Sequence, residues 1–311
     1  MAEDDNKLLI IAWDGLDHEL INKFNLEHVP LETMGKIDNN TGINTRSTSE
    51  LYTSFITGET HTEHGVTGIN KFNNTGKILE SILPKNIRGL LPATNLIYNK
   101  LWDLTGADKR KYYKQDYNID TLFDIINDSK AMFVPGYNPG FGWSANLKTH
   151  SLDELMYKDD ALSEAEKTVN MMFDRRWDMF KQEFDREEHS LLMCHFHYPD
   201  YLQHFYGTKE ISYEEDILKG LYLEIDQYAK KIKAWADLYG YDLMFFSDHG
   251  LPQDFEHNKQ AFYSIQGDFD VSESEELRSE YGFDEGVPIT MFFGEILEYF
   301  DIQAEATIHN N

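Results

Sequence analysis

The sequence predicts an α/β fold in which helices cover both faces of a mostly parallel central sheet, and two observations carry that expectation. Four short apolar runs, Leu8 to Trp13, Ala131 to Pro135, Leu191 to His197 and Leu243 to Ser247, give way at once to polar or ionisable residues, as buried strands of a parallel sheet do. Long segments between them carry helical periodicity, so strand and helix alternate as in a doubly wound fold.

Taken in order, the first run leads straight into Asp14 and Gly15. Residues 78–117 are looser, with Pro84, Gly89 and Pro92, the basic stretch Lys109-Arg110-Lys111, and Tyr112, Tyr113 and Tyr117. This stretch reads as a cap insertion over the site, within a single domain spanning 1–311. Ser163 to Phe184 and Glu214 to Tyr239 read as helices. The second repeats Leu218, Leu221, Ile225, Tyr228, Ile232 and Trp235 at three- or four-residue steps, the signature of one buried helical face. Ligands of open α/β sheets gather outside the carboxyl ends of the strands, so Asp14, Asp200 and Asp248 are expected to converge there.

Composition narrows the function. With 41% apolar residues, 20 Phe, 18 Tyr and 5 Trp among its 311 residues, the chain has the material for a packed core rather than a disordered one. Its formal charge of −27 argues against binding a nucleic-acid duplex or an anionic membrane. A phosphate-bearing partner would need a local positive charge, which bound metal ions can supply. The acidity itself has two readings, plain solubility or a salt-rich cytoplasm. Cys194 is the single cysteine, so no intrachain disulfide forms, and its apolar neighbours suggest a buried thiol. Met1 to Lys7 lacks a basic leader pattern and no run reaches membrane-spanning length, so a cytoplasmic enzyme is the expectation.

Each chemical motif is weak alone. Trp13-Asp14-Gly15 is as well explained by a turn or a helix cap. Asp200 and His204 are four residues apart, which places carboxylate and imidazole on one helical face where they can grip one ion. An exposed pair with no ligand has the same spacing. Ser247-Asp248-His249-Gly250 puts two ligand types at a strand end, and His257 follows in a polar loop.

The segment from Thr45 through Thr57-Gly58, followed by His64-Gly65, resembles the signature of the type I phosphodiesterase and nucleotide pyrophosphatase family of the alkaline phosphatase superfamily. The resemblance implies an alkaline-phosphatase-like three-layer sandwich and puts Thr48 at the nucleophile position. It further implies two divalent ions, Zn2+ first and Mn2+ as the alternative. One would be held by Asp200, His204 and His257, the other by Asp14, Thr48, Asp248 and His249. Ser49 and Asn70 would contact the phosphate of a small phosphate-ester substrate. Two departures stand out: Glu50 occupies a place where the family often has Pro, and the last His, which commonly sits farther along before a small residue or Gly, is here His257, followed by Asn258 and Lys259.

The activity so implied is hydrolysis of phosphodiester or pyrophosphate bonds through a phosphothreonine-type intermediate. Phosphomonoester hydrolysis is the alternative on the same core, and a non-catalytic metal-binding homologue is the alternative from another class.

Overall fold

The computed structural model describes residues 6–68, 70–82, 109–140, 161–208, 215–253, 256–271 and 286–303. At its centre β1 (Leu8–Trp13), buried along its whole length, lies between β6 (Leu191–Phe196) and β7 (Asp242–Ser247), parallel to both. β5 (Ser129–Met132) extends the sheet in parallel beyond β6. On the other side follow β10 (Phe262–Gln266), β2 (Thr33–Asp38) and β11 (Val287–Pro288). β10 is antiparallel to both neighbours, and the other six strands of this sheet share one direction.

Side chains alternate across a strand, so a sheet whose strands are apolar throughout must be covered twice. Leu9, Ile11 and Trp13 of β1 enter one core, together with Cys194, Phe196 and Phe245. Leu8, Ile10 and Ala12 enter the other, with Met193, Met244 and Phe246. The first core is closed by α1 (His18–Lys23), α6 (Ala161–Phe184) and α8 (Glu215–Tyr239). Leu218, Leu221, Tyr222, Ile225 and Ile232 form the buried stripe of α8, close to the periodicity the sequence shows. The second core is closed by α2 (Thr48–Thr57), α5 (Leu122–Ile125) and α9 (Met291–Tyr299). The result is three layers, helices on a sheet on helices.

α2 is the helix that bears on the site. Leu51, Tyr52, Phe55 and Ile56 are fully buried, and Phe55 stacks on Phe246 of β7 with centroids 4.4 Å apart. Truncating such an aromatic to Ala costs about 3–5 kcal/mol, so the helix is held firmly against the sheet. Ser47 caps its start by accepting from the Glu50 N–H at 3.4 Å, and Gly58 ends it in the left-handed conformation.

Two details depart from the sequence reading. The strand expected over Ala131 to Pro135 occupies Ser129–Met132 instead, because Phe133 takes φ 61° and turns the chain out of the extended conformation. Of the expected cap, residues 83–108 lie outside the described residues. Its flanks form a small antiparallel sheet of β3 (Asn70–Phe72) and β4 (Lys109–Lys111), near which Tyr112 and Tyr117 pack on Val66. Further elements are the short helices α3 (His61–His64) and α4 (Asn74–Ile82), α7 (Tyr198–Thr208), a 3-10 turn at Lys114–Asp116, and a hairpin of β8 (Pro252–Gln253) and β9 (Glu256–His257).

Candidate metal centre

Three adjacent parallel strands deliver acidic and imidazole side chains at their carboxyl ends. β1 leads into Asp14, β7 leads into Asp248 and His249, and β6 carries His195 with His197 just beyond it. Asp200 comes from the first turn of α7, and its N–H donates to the Asp14 carbonyl at 3.1 Å. This backbone bond draws the two carboxylates together. Gly15 makes room for it: with φ 74°, it presses against α7 so closely that a Cβ there would sit 2.9 Å from the Asp200 Cβ, a contact no other residue could accept.

One donor atom each from Asp14, Asp200 and His249 falls in a set whose members all lie within 4.8 Å of one another. His249 Nε2 is 3.2 Å from Asp14 Oδ1, 3.6 Å from Asp248 Oδ2 and 4.0 Å from Asp200 Oδ1. The other ring nitrogen of His249, Nδ1, lies 2.9 Å from the Gly250 carbonyl and donates to it. In a neutral ring this fixes the proton on Nδ1 and turns the Nε2 lone pair to the carboxylates, the arrangement found in metal-binding histidines. His204 stands one turn beyond Asp200, its Nε2 3.3 Å from Asp200 Oδ1.

The electrostatics of this group call for a cation. Asp14, Asp200 and Asp248 are all buried, and Asp14 Oδ1 and both Asp248 oxygens accept no hydrogen bond. Burial, reinforced by the neighbouring carboxylates, pushes Asp248 well above the usual carboxylate range and raises Asp200. Burial works against a charge on His249 as well, yet Asp248, Asp14 and Asp200 push it up to about 10. Asp14 is the exception. Although burial opposes its charge, the His197 hydrogen bond and the imidazoles of His195 and His249 beside it hold it well below its ordinary value. Three carboxylates in one low-dielectric pocket need positive charge, whether a proton or a metal ion. The carboxylate and imidazole donors fit Zn2+ and Mn2+.

The remaining sequence candidates are spread around this group. Thr48 is the first residue of α2, half-buried. One turn on, Tyr52 packs edge-on against His195 at 4.6 Å, and Thr48 and Tyr52 share a helical face. Neighbouring hydroxyls are engaged: Thr45 with the Glu50 carboxylate, Ser47 as the helix cap, Thr53 with the Ser49 carbonyl at 2.7 Å. Ser49 is buried. Thr48 makes no side-chain hydrogen bond to a described residue. Asn70 lies in β3 of the small sheet, paired with Lys111. The His257 backbone pairs with Pro252 across the β8–β9 hairpin, while its side chain lies outside what is described.

Glu50, the departure from the family pattern, has a local purpose. Fully buried, it accepts the N–H groups of Asn44 and Thr45 and the Thr45 hydroxyl, fastening the loop that leads into α2.

No local motif marks His195, His197, Asp17 or Arg176. The first two close an apolar run, although two imidazoles two residues apart at a strand end share a face. Asp17 caps α1 through Oδ1 and with Oδ2 accepts from Leu251 N–H at 3.0 Å and the Asn258 amide at 2.8 Å, one on each side of the hairpin that bears His257. Nothing local in the sequence marks that long-range link.

Comparison with known proteins settles the affiliation. The model of the type I phosphodiesterase / nucleotide pyrophosphatase family matches residues 8–264. The chain belongs to this family. No curated sequence matches this phosphodiesterase-family chain. Among solved structures it is similar to an inactive variant of murine ectonucleotide pyrophosphatase / phosphodiesterase 5 in complex with AMP, at 12% identity and a TM-score of 0.40. That alignment covers 79% of this chain and 57% of the murine one, so the chain spans somewhat more than half of that relative's length. A second structure of the same murine protein aligns over the same shares at 14% identity and a TM-score of 0.39. The alkaline phosphatase PafA aligns over 96% of this chain and 74% of its own, at 11% identity and a TM-score of 0.39. Among the described residues no helix is long and apolar enough to cross a membrane.

Proposed function

We propose that the chain is a metal-dependent phosphohydrolase that cleaves phosphodiester or pyrophosphate bonds, with Thr48 as nucleophile at a two-metal site. The observation that carries this reading is the buried group of Asp14, Asp200, Asp248 and His249, short of positive charge and set at the carboxyl ends of adjacent strands in a chain of this family. In the assignment we favour, Asp200, His204 and His257 hold one ion, and Asp14, Asp248, His249 and Thr48 the other. Zn2+ is the first choice and Mn2+ the second.

When bound, such ions neutralise phosphoryl oxygens and favour the deprotonated form of a coordinated hydroxyl. The chain's own residues do the rest. Thr48 offers its hydroxyl at the start of α2, where the first N–H groups have no intrahelical partner and the helix dipole favours an anion. The Ser49 N–H and the Asn70 amide are the proposed phosphate contacts. His249, with Nδ1 tied to the Gly250 carbonyl, keeps its Nε2 aimed at the carboxylates and cannot swing away during turnover.

Attack of the Thr48 oxygen on phosphorus forms the P–O bond to the enzyme as the leaving alcohol or phosphate departs with the electron pair. Water then cleaves the phosphothreonine. A diester or anhydride is favoured over a monoester, since the second negative charge of a monoester needs a clamp. Arg176, buried beside the site, already donates to the carbonyls of His195 and Pro139.

The test is elemental analysis of the purified protein, followed by chromogenic diester, pyrophosphate, monoester, phosphonate and sulfate substrates with Zn2+, Mn2+ or Mg2+ added. Two divalent ions per chain with fastest turnover of a diester or pyrophosphate are expected. No bound metal and no activity restored by metal would return the chain to the non-catalytic reading, and fastest turnover of a monoester would replace the substrate class.

A further inference from the structure

Asp14 is gripped from one side only. Its Oδ2 lies 2.7 Å from His197 Nδ1 and 3.3 Å from His195 Nε2, whereas Oδ1 faces His249 Nε2 at 3.2 Å. We propose that His197, with His195 beside it, is a positioning residue: it holds Asp14 through Oδ2 and so leaves Oδ1 as the metal-binding oxygen. The inference rests on the two-metal reading above.

The alternative use of the same atoms is a further ion, because Asp14, His195 and His197 each offer a donor atom within 4.8 Å of the others. Arg176 decides between them. Its Nη1 approaches His195 Nδ1 at 3.4 Å and donates to the His195 carbonyl at 2.9 Å. A guanidinium carries donors and no acceptor, so the Nδ1 it faces is the ring's acceptor, and the proton of the neutral ring sits on Nε2, toward Asp14. A protonated nitrogen cannot ligate. A dication would also have to settle beside the buried guanidinium, where like charges repel most strongly.

His197 is fixed in the same sense. Its ring stacks on Tyr201 at 4.8 Å with planes 14° apart and meets His195 edge-on at 4.2 Å. At 2.7 Å from a carboxylate oxygen, Nδ1 must be the donor. This hydrogen bond, with His195 Nε2 3.3 Å from the same oxygen, sets the tilt of the carboxylate, the kind of support whose loss weakens metal sites by about 10–100-fold.

The experiment uses His197, which is less buried than His195, in the full chain. His197→Ala removes the donor, and His197→Asn places an amide N–H near the position of Nδ1. His197→Gln, which fills space but displaces the donor, replaces Ala if metal-free melting reveals a folding defect. Each is titrated with Co2+, read by visible absorption, and its Zn2+ affinity is measured against a chromophoric chelator. The expected result is an unchanged number of Co2+ equivalents and unchanged band pattern in all variants, about 10–100-fold weaker Zn2+ binding in the Ala or Gln variant, and recovery of most of that loss with Asn. Loss of a Co2+ equivalent that Asn does not restore would make His197 a ligand and overturn the proposal, as would wild-type Zn2+ affinity in both the Ala and Gln variants. A wild-type chain that takes up no Co2+ would overturn the two-metal reading as well, which separates that failure from the other two.

Discussion

The Asp200 N–H donates to the Asp14 carbonyl at 3.1 Å, so two acidic residues 186 positions apart in sequence are joined by backbone before any ion is bound. The site is therefore built by the fold, and its carboxylates stand together at an energetic cost that a cation removes.

That cost makes Asp248 a test with two opposite signs. Asp248 has both oxygens without a hydrogen bond and is pushed well above the usual carboxylate range by burial and by Asp14 and Asp200. A carboxyl with a raised pKa lowers stability at neutral pH, because folding must protonate it. Asp248→Asn should stabilise the metal-free protein by on the order of 1 kcal/mol, a rise of roughly 2–4 °C in melting temperature. The same change should abolish most of the thermal gain produced by Zn2+. Melting curves in chelator and in Zn2+ read both effects. A metal-free variant no more stable than the wild type would mean that the carboxylates are not in conflict.

Much of this was legible in the sequence, and the reasons are local. β1, β6 and β7 are uninterrupted apolar runs because both of their faces are covered, and the long helices α6 and α8 declare themselves by periodicity. β2 escaped notice because Thr33–Asp38 is half exposed and carries Lys36 and Asp38. β10 follows a polar loop and runs against its neighbours, which no pattern of apolar residues encodes. Asp14, Asp200, Asp248 and His249, which the structure brings together, stand in motifs that a local reading picks out. His195 and His197 stand in no such motif, and their neighbour Asp14 lies more than 180 residues away.

Asp17 should couple the hairpin to the metal. Asp17→Ala removes the oxygen that accepts from two N–H groups at the start of α1 and releases Leu251 and Asn258, at a cost of about 2–3 kcal/mol in stability. If His257 is a ligand, the variant should also bind Zn2+ more weakly, and that loss should vanish when His257 is already Ala, since interacting positions are not additive. Equal losses of affinity in both backgrounds would show that Asp17 does not act through His257.

His64 predicts a pH dependence independent of the metal ligands. The Val66 N–H donates to its Nδ1 at 3.0 Å, so the ring is neutral with its proton on Nε2, 3.0 Å from Ser54 Oγ. Burial, only partly offset by Glu50, lowers its pKa to about 4, against about 6.5 in the unfolded chain. Between these values the unfolded state binds more protons, so this contribution is complete above about pH 6.5 and is lost as pH falls toward 4, at most about 3 kcal/mol. His64→Gln should be less stable at pH 7, with the gap closing by pH 4. The difference between the two denaturation profiles isolates His64, because the carboxylates titrate in both proteins. Parallel profiles would remove His64 from the account.

Thr48 carries the sharpest expectation. It is the first residue of α2, but Ser47 supplies the cap, so Thr48→Ala should change stability by no more than about 0.5 kcal/mol. The carboxylate and imidazole donors remain, so both ions should stay bound. Turnover of the diester should nonetheless fall by orders of magnitude, and Thr48→Ser should keep much of it, because only a hydroxyl at that position can take the phosphoryl group. Protein quenched during turnover should carry the adduct on the peptide containing Thr48. Thr45, Ser47 and Thr53 are occupied by structural hydrogen bonds and Ser49 is buried, so an adduct on any of them would require α2 or its leading loop to rearrange. Such an adduct, or near-native turnover in Thr48→Ala, would move the nucleophile without disturbing the family assignment, since that rests on residues 8–264 as a whole.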